Sequence, residues 1–304
     1  MSKYLFTYVC QHGLLEIQAM LLTVSLVRYA KCEHEIVAGI PHGQLEPESL
    51  QLLAKLNVKT VSIEPTVTGY LNSHKIALLE KVTEDFKAEY YLLMDSDILC
   101  QANFSGIDMM SAHDIALRVA GISKTWKDIQ QWGVVYDLFE MPYPASRVIS
   151  TYDRTPMWPY YNAGVICIRH GVAFPEAWRK ACLKIEAADH IKSKRPWLDQ
   201  IAIPIAVQSL QLNVLQLESR YNSWPGTEAS AIFNHYHRFD RLKDTAPISE
   251  LLGYFYTHQQ LRALLKKKAN DALHAWLVAS NGSPPPQLVQ FHCFIEKNLP
   301  SISP

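Results

Sequence analysis

Four short apolar runs, at residues 4–10, 34–40, 58–63 and 90–94, alternate with longer stretches whose apolar residues recur at helical spacing. Length separates the two kinds of segment, since strands run four to eight residues and helices about ten or more. Strand, helix, strand repeated in this way predicts an α/β sheet wound by crossover helices. Helices are expected over residues 14–30, 49–56 and 71–86, the last burying Ile76, Leu78, Leu79 and Val82 on one face. The run Tyr90-Tyr91-Leu92-Leu93-Met94 has no polar interruption, which predicts a central strand covered on both faces.

Regularity weakens over residues 107–160, which carry Trp126, Trp132, Tyr136, Tyr143, Tyr152, Trp158 and Tyr160. So aromatic a stretch is expected to be an ordered excursion over one face of the domain rather than a linker or part of the central sheet. Strand character returns at 163–168 and helical character at 175–187. A buried helix is expected at 198–208, kinked at Pro204, and short strands at 212–217 and 231–233. Residues 248–278 read as two amphipathic helices with Lys266, Lys267 and Lys268 on one face, before a Pro-rich break at 284–286.

The 304 residues suit one large domain, with 246–304 as a smaller helical extension. Lys plus Arg and Asp plus Glu both number 29, so no overall basic excess exists to hold nucleic acid. The three adjacent lysines give contact with a membrane surface a motive, though a solvated or packed helix face, or a homodimer contact, is the simpler reading. The six cysteines include no C-x-x-C pair, which removes support for zinc-finger and thioredoxin-like readings. Four of them lie in or beside apolar runs and read as buried free thiols. The N-terminus reads as a strand rather than a signal peptide, and no stretch is long and apolar enough to span a bilayer. A reducing cytoplasm is the expected setting.

The chemistry begins at Asp95-Ser96-Asp97, directly after the run 90–94. In open α/β sheets ligands gather beyond the carboxyl ends of the strands. Two carboxylates brought together there repel unless a positive group joins them, and a divalent cation with oxygen ligands is the natural partner. The plainer alternative is a turn-capping Asp95 and a solvated Asp97.

The stretch Tyr91-Leu92-Leu93-Met94-Asp95-Ser96-Asp97-Ile98-Leu99 resembles the Asp-x-Asp segment of nucleotide-sugar glycosyltransferases with the GT-A fold. Four further segments fall in the order such enzymes show: Ser73-His74-Lys75-Ile76-Ala77-Leu78, Tyr161-Asn162-Ala163-Gly164-Val165, Trp197-Leu198-Asp199-Gln200 and Phe233-Asn234-His235-Tyr236-His237. Their order is most similar to the group containing glycogenin and bacterial lipopolysaccharide galactosyltransferases, and the resemblance covers about residues 1–240. Asn162-Ala163-Gly164 stands where that group has Asn-Ser-Gly.

The resemblance implies a GT-A, Rossmann-like mixed sheet flanked by helices over residues 1–245. It implies Mn²⁺ or Mg²⁺ held by Asp95, Asp97 and His235 against the diphosphate of a donor, most plausibly a UDP-sugar. His237 could replace His235 or meet a phosphate, sharing its face if the segment is extended. Either histidine could instead be structural. Tyr8 and Val9 would border the nucleobase, with the Tyr8 ring packed on it. Lys75 and Ser96 would face the diphosphate, and Gly164 would let the backbone approach the ligand. Asn162, Asp199 and Gln200 would surround the transferred sugar.

Each role has a plain rival: core packing for Val9, an exposed helical Lys75, a turn-capping Asn162 and a helix-capping Asp199. The run Tyr221-Asn222-Ser223-Trp224-Pro225 could line the acceptor side, with Trp224 stacking on an acceptor sugar or simply packing its loop, and the aromatic stretch 126–160, which departs most from the shared pattern, would hold acceptor specificity. The resemblance further implies transfer to a hydroxyl acceptor with retention, the β-phosphate oxygen taking the acceptor proton. An inverting enzyme would need a base such as Asp199 or Asp153. A sugar-phosphate nucleotidyltransferase would carry a Gly-rich, Arg-containing loop where Gln11-His12-Gly13-Leu14 stands. A phosphatase would place its Asp-x-Asp after the first strand. A non-catalytic carbohydrate- or metal-binding protein on the same scaffold is the remaining alternative.

Overall fold

Residues 2–121 and 129–238 are described by the computed structural model, together with residues 126 and 241 and single positions between 263 and 293. In chain order the first elements are β1 (Ser2–Val9), α1 (Leu14–Tyr29), β2 (His34–Pro41), α2 (Pro47–Lys55), β3 (Val58–Ile63), α3 (His74–Asp85) and β4 (Ala88–Met94). They follow the predicted runs to within a few residues. The stretch expected as one helix over 71–86 begins with a 3-10 turn, Leu71–Ser73, before α3. Next come β5 (Ile98–Cys100), β6 (Ile115–Val119), α4 (Ile129–Leu138), β7 (Val148–Ile149), β8 (Pro156–Met157), β9 (Tyr161–Arg169) and α5 (Phe174–Ala187). The last are α6 (Leu198–Ser209), which stays helical through Pro204, β10 (Val214–Gln216) and β11 (Phe233–His235).

Among the described residues, seven strands form the main sheet in the order β10-β6-β9-β4-β1-β2-β3. β1 pairs in parallel with β2 and β4, β2 with β3, and β6 with β10. β9 runs antiparallel to both β4 and β6, so the sheet is mixed, as a GT-A fold requires. Alternation along β1 divides the core. Tyr4, Phe6 and Tyr8 join Ala19, Leu22 and Leu26 of α1 on one face, and Leu5 joins Ile76, Leu79 and Val82 of α3 on the other. β4 is buried on both faces from Tyr90 to Met94, the environment its unbroken apolar run predicts.

The aromatic stretch differs from expectation in two ways. Its first part, β6, belongs to the central sheet, and the excursion starts only after Val119. The remaining aromatics are mostly core. Trp126 lies 5.2 Å from Trp132, Trp132 lies 5.4 Å from Tyr160, and Tyr136 lies 5.6 Å from Trp158, all between ring centroids. These five rings are buried, while Tyr143 and Tyr152 are exposed. The segment buries its apolar area against α5, α6 and the sheet.

A separate two-stranded sheet pairs β5 with β11, antiparallel, with His235 opposite Ile98. It joins chain segments far apart in sequence at the rim of β4. The cysteines at 10, 100, 167 and 182 are buried, and none of them is in a disulfide. No helix among the described residues is long and apolar enough to cross a membrane. The helices expected over 248–278, and the boundary at 245, lie outside the described residues. Within the triple-lysine run, Lys267 places its Nζ 2.8 Å from Glu48 Oε2 on α2.

Candidate functional site

The carboxyl ends of β1 and β4 open into a cleft of about 290 Å³. Val9, Asp95, Ser96 and Asp97 line it from the strands, Lys75 from α3, Asn162 from β9, Asp199 and Gln200 from α6, and His235 and His237 from the segment at β11. Elements spread over the whole sheet thus converge on one opening, where an α/β sheet is expected to bind its ligand. The backbone N–H of Asp95 donates to Gly164 O at 2.8 Å, tying the acidic turn to β9. The N–H of Tyr236 donates to Asp97 O at 3.0 Å, tying it to β11.

Two charged groups occupy the cleft. In the first, Lys75 Nζ lies 2.8 Å from Asp95 Oδ1 and 3.1 Å from Asp199 Oδ2. Burial alone would lower the pKa of Lys75, but Asp95 and Asp199 outweigh it and keep the ammonium charged. Asp199 sits in the first turn of α6 yet does not cap it; the N-cap residue is Trp197, with no side-chain cap bond. Instead, Asp199 Oδ1 accepts a 2.6 Å hydrogen bond from Tyr70 Oη, which lies 2.7 Å from Pro196 O as well. Burial, then Asp199, pushes the Tyr70 phenol well up, so it serves as a donor.

The second group is Asp97, His235 and His237, whose ligand atoms lie within 4.8 Å of one another. His235 Nε2 is 2.9 Å from Asp97 Oδ1 and 3.9 Å from Asp95 Oδ2, and His237 Nδ1 is 3.8 Å from Asp97 Oδ2. Burial would raise the Asp97 carboxyl, but His235 overrides it and holds the pKa at about 2. Burial would likewise lower His235, and Asp97 reverses that. His237 is lowered to about 4 by burial and by the charge on His235. The expected extended run from 235 to 237 is not found, because His237 has φ 54° and leaves the strand. The turn still stacks the two imidazoles, 3.7 Å between centroids.

Three carboxylates therefore face one ammonium and one imidazolium in a half-closed cleft. A site with carboxylate oxygen and imidazole nitrogen donors and excess negative charge suits a divalent cation, and imidazole favours Mn²⁺ over Mg²⁺.

Two of the expected site residues play different parts. The Tyr8 ring is fully buried on the α1 face of β1, its hydroxyl against Thr23 Oγ1. Strand alternation turns it away from the cleft and turns Val9 toward it, so Tyr8 cannot pack on a base there. Gly164 does provide close approach, but to a side chain rather than a ligand. A Cβ at this position would stand 2.9 Å from the His235 ring and 2.8 Å from Asn162 Oδ1. Asp153 lies between β7 and β8, accepting from Thr155 Oγ1 at 2.7 Å, and is not among the residues lining the cleft. Trp224 is exposed on one side, with its ring 5.2 Å from that of His237.

The sequence reading passed over Tyr70, Gln11, Leu15, Leu71 and Asn72, and it assigned Asn222 to the acceptor side. Asn222 instead bridges Asn162 and His235. Asn72 adjoins the motif that begins at Ser73, which was its available signal.

A mixed sheet of this order, with an acidic turn at its central rim and a cleft closed by a late histidine, defines a GT-A glycosyltransferase. The chain belongs to the Rhodobacterales glycosyltransferase domain family, whose model matches residues 6–211. Its structure is similar to the crystal structure of an active-site glutamine-to-glutamate mutant of LgtC, with a TM-score of 0.50 and 14% sequence identity, covering 82% of this chain and 95% of that one. At that identity the likeness is one of fold. No curated protein matches the chain by sequence.

Proposed function

We propose that this glycosyltransferase takes its sugar from a nucleoside diphosphate, with UDP the favoured nucleotide, and transfers it to a hydroxyl acceptor with retention. The observation that carries the proposal is the convergence of Asp97, His235 and His237 at the end of β4, beside the Lys75–Asp95–Asp199 group. Asp97 and His235, with His237 or Asp95, would hold Mn²⁺ or Mg²⁺; once bound, the ion would neutralise the diphosphate as a Lewis acid.

The chain's own residues then have these parts. Lys75 supplies a permanent positive charge near the departing oxygen. Ser96 and the Val9 backbone border the nucleotide. Asn162 and Gln200 meet sugar hydroxyls, and Asp199, clamped by Lys75 and Tyr70, offers a fixed negative charge near the anomeric carbon. In transfer, the bond from that carbon to the β-phosphate oxygen breaks and the bond to the acceptor oxygen forms. The acceptor proton passes to the departing phosphate oxygen. Retention is supported by the engagement of Asp199 with two partners and by the position of Asp153 away from the cleft, which leaves neither as a free base. Trp224, exposed beside His237, supports an acceptor with an apolar sugar face. The buried cysteines outside any disulfide support a reducing, cytoplasmic setting.

Thermal melts with UDP-, GDP-, ADP- and CDP-sugars, with and without Mn²⁺, test this reading. The expected result is a metal-dependent rise in Tm with a UDP-sugar and slow hydrolysis of the same donor. A folded chain that neither shifts with nor hydrolyses any donor in Mn²⁺ would overturn it.

A further inference from the structure

The geometry points to Asn222 as a positioning residue that holds the Nδ1 proton of His235, so that Nε2, beside Asp97, is the nitrogen left to ligate the cation. The inference rests on the proposed metal site.

It starts from one group whose role cannot change, the backbone N–H of Gly164, which can only donate. That N–H lies 2.7 Å from Asn162 Oδ1, so this oxygen is an acceptor and the orientation of the Asn162 amide is set. Asn222 Nδ2 lies 2.7 Å from the same oxygen and donates to it. With its amide nitrogen placed there, Asn222 must turn its own Oδ1 the other way. That oxygen lies 3.1 Å from His235 Nδ1. A carbonyl oxygen only accepts, so Nδ1 must carry a proton.

Nε2 is the atom 2.9 Å from Asp97 Oδ1. Protonation at Nδ1 therefore follows from a relay of three hydrogen bonds that begins at a backbone amide in β9; the Asp97 carboxylate only accepts as well, so Nε2 is also protonated in the metal-free ring and is the nitrogen that gives up its proton to a cation. Asn222 is 4% exposed and His235 5% exposed, so water has little access to replace either partner. Gly164 belongs to the same device. It supplies the fixed donor, and its missing Cβ leaves room for the ring the relay orients. Partners that hold the second ring nitrogen of a metal-binding histidine typically contribute 10- to 100-fold in metal affinity.

The experiment compares the full-length chain with Asn222→Ala and Asn222→Asp. Mn²⁺ binding is read from the free-ion EPR signal without donor. The Nδ1 proton of His235 is read by ¹H–¹⁵N NMR in the metal-free chain, its cross-peak being the one lost in His235→Gln. Wild type is expected to show an Nδ1–H protected from exchange. Asn222→Ala is expected to lose that protection and to bind Mn²⁺ about 10- to 100-fold more weakly. Asn222→Asp still accepts from Nδ1–H, although its second oxygen meets Asn162 Oδ1, and is expected to keep the protected proton and to lose less affinity. An alanine variant with a wild-type Nδ1–H and wild-type affinity overturns the assignment, as does loss of the protected proton in both variants alike. Absence of Mn²⁺ binding by the wild-type chain would instead remove the metal site, and the NMR comparison would still decide what Asn222 does to His235.

Discussion

The cleft at the end of β4 and the aromatic layer of residues 126–160 both attract attention in the sequence, and they are buried for opposite reasons. In the cleft the buried groups are charged or polar, and each touches another: Lys75 with Asp95 and Asp199, Asp199 with Tyr70, Asp97 with His235, His235 with Asn222. In the aromatic layer the rings touch mainly one another and the sheet. Burying charge costs free energy that a stable fold has no need to spend, whereas burying rings contributes to stability. Richness in unusual residues does not mark a site. Costly burial, compensated locally and open to solvent on one side, does.

Substitutions that separate activity from stability can break this comparison. The largest expected effect is on Asp97→Asn, which removes one charge from the cluster with His235. Transfer should fall on the order of 10³-fold, with a Tm near that of the wild type. An active Asp97→Asn enzyme in a donor-turnover assay would end the functional reading of the cleft. Trp132→Ala is the mirror image. It should cost about 3–5 kcal/mol in urea unfolding while kcat/KM of the folded fraction stays within about twofold. Strongly altered acceptor KM in that variant would return the layer to the binding site.

Smaller effects sharpen the boundary. Tyr70→Phe deletes the hydroxyl that donates to Asp199 and should lower kcat about 10-fold, with donor KM nearly unchanged, in steady-state kinetics. A change in KM alone would make Tyr70 a binding residue rather than one that orients Asp199. Tyr152→Ala, at 80% exposure in wild type, should move stability by no more than about 0.5 kcal/mol and leave transfer to simple acceptors unaltered. A large loss in acceptor affinity would show that part of the layer reaches substrate after all.

Much of the donor half could be read from the sequence because its information is local. β4 announces itself through Tyr90 to Met94, and the acids at 95 and 97 follow at once. β6 could not be read in the same way. It is five residues long, carries Arg118, and stands beside an aromatic-rich segment instead of a crossover helix. β5 is three residues long, too short for periodicity, and only its pairing with β11 makes it a strand. Tyr70 and the bridging role of Asn222 were missed for another reason. Their partners lie 129 and 13 residues away along the chain, so nothing in their own neighbourhood signals the contact. Tyr8 was within reach: strict alternation from Tyr4 and Phe6 already assigns it to the helix-covered face.

The ladder between β5 and β11 has a consequence for how the protein comes into being. It ties residue 98 to residue 235, so the histidine joins the acids only after nearly all of the domain has been synthesised. Contacts so distant in sequence form late and slowly, once loop closure has been offset by the rest of the structure. A nascent polypeptide can thus assemble most of its sheet on the ribosome while the cleft that would hold an ion still lacks its histidine, and completion of that cleft arrives as one of the last events of maturation.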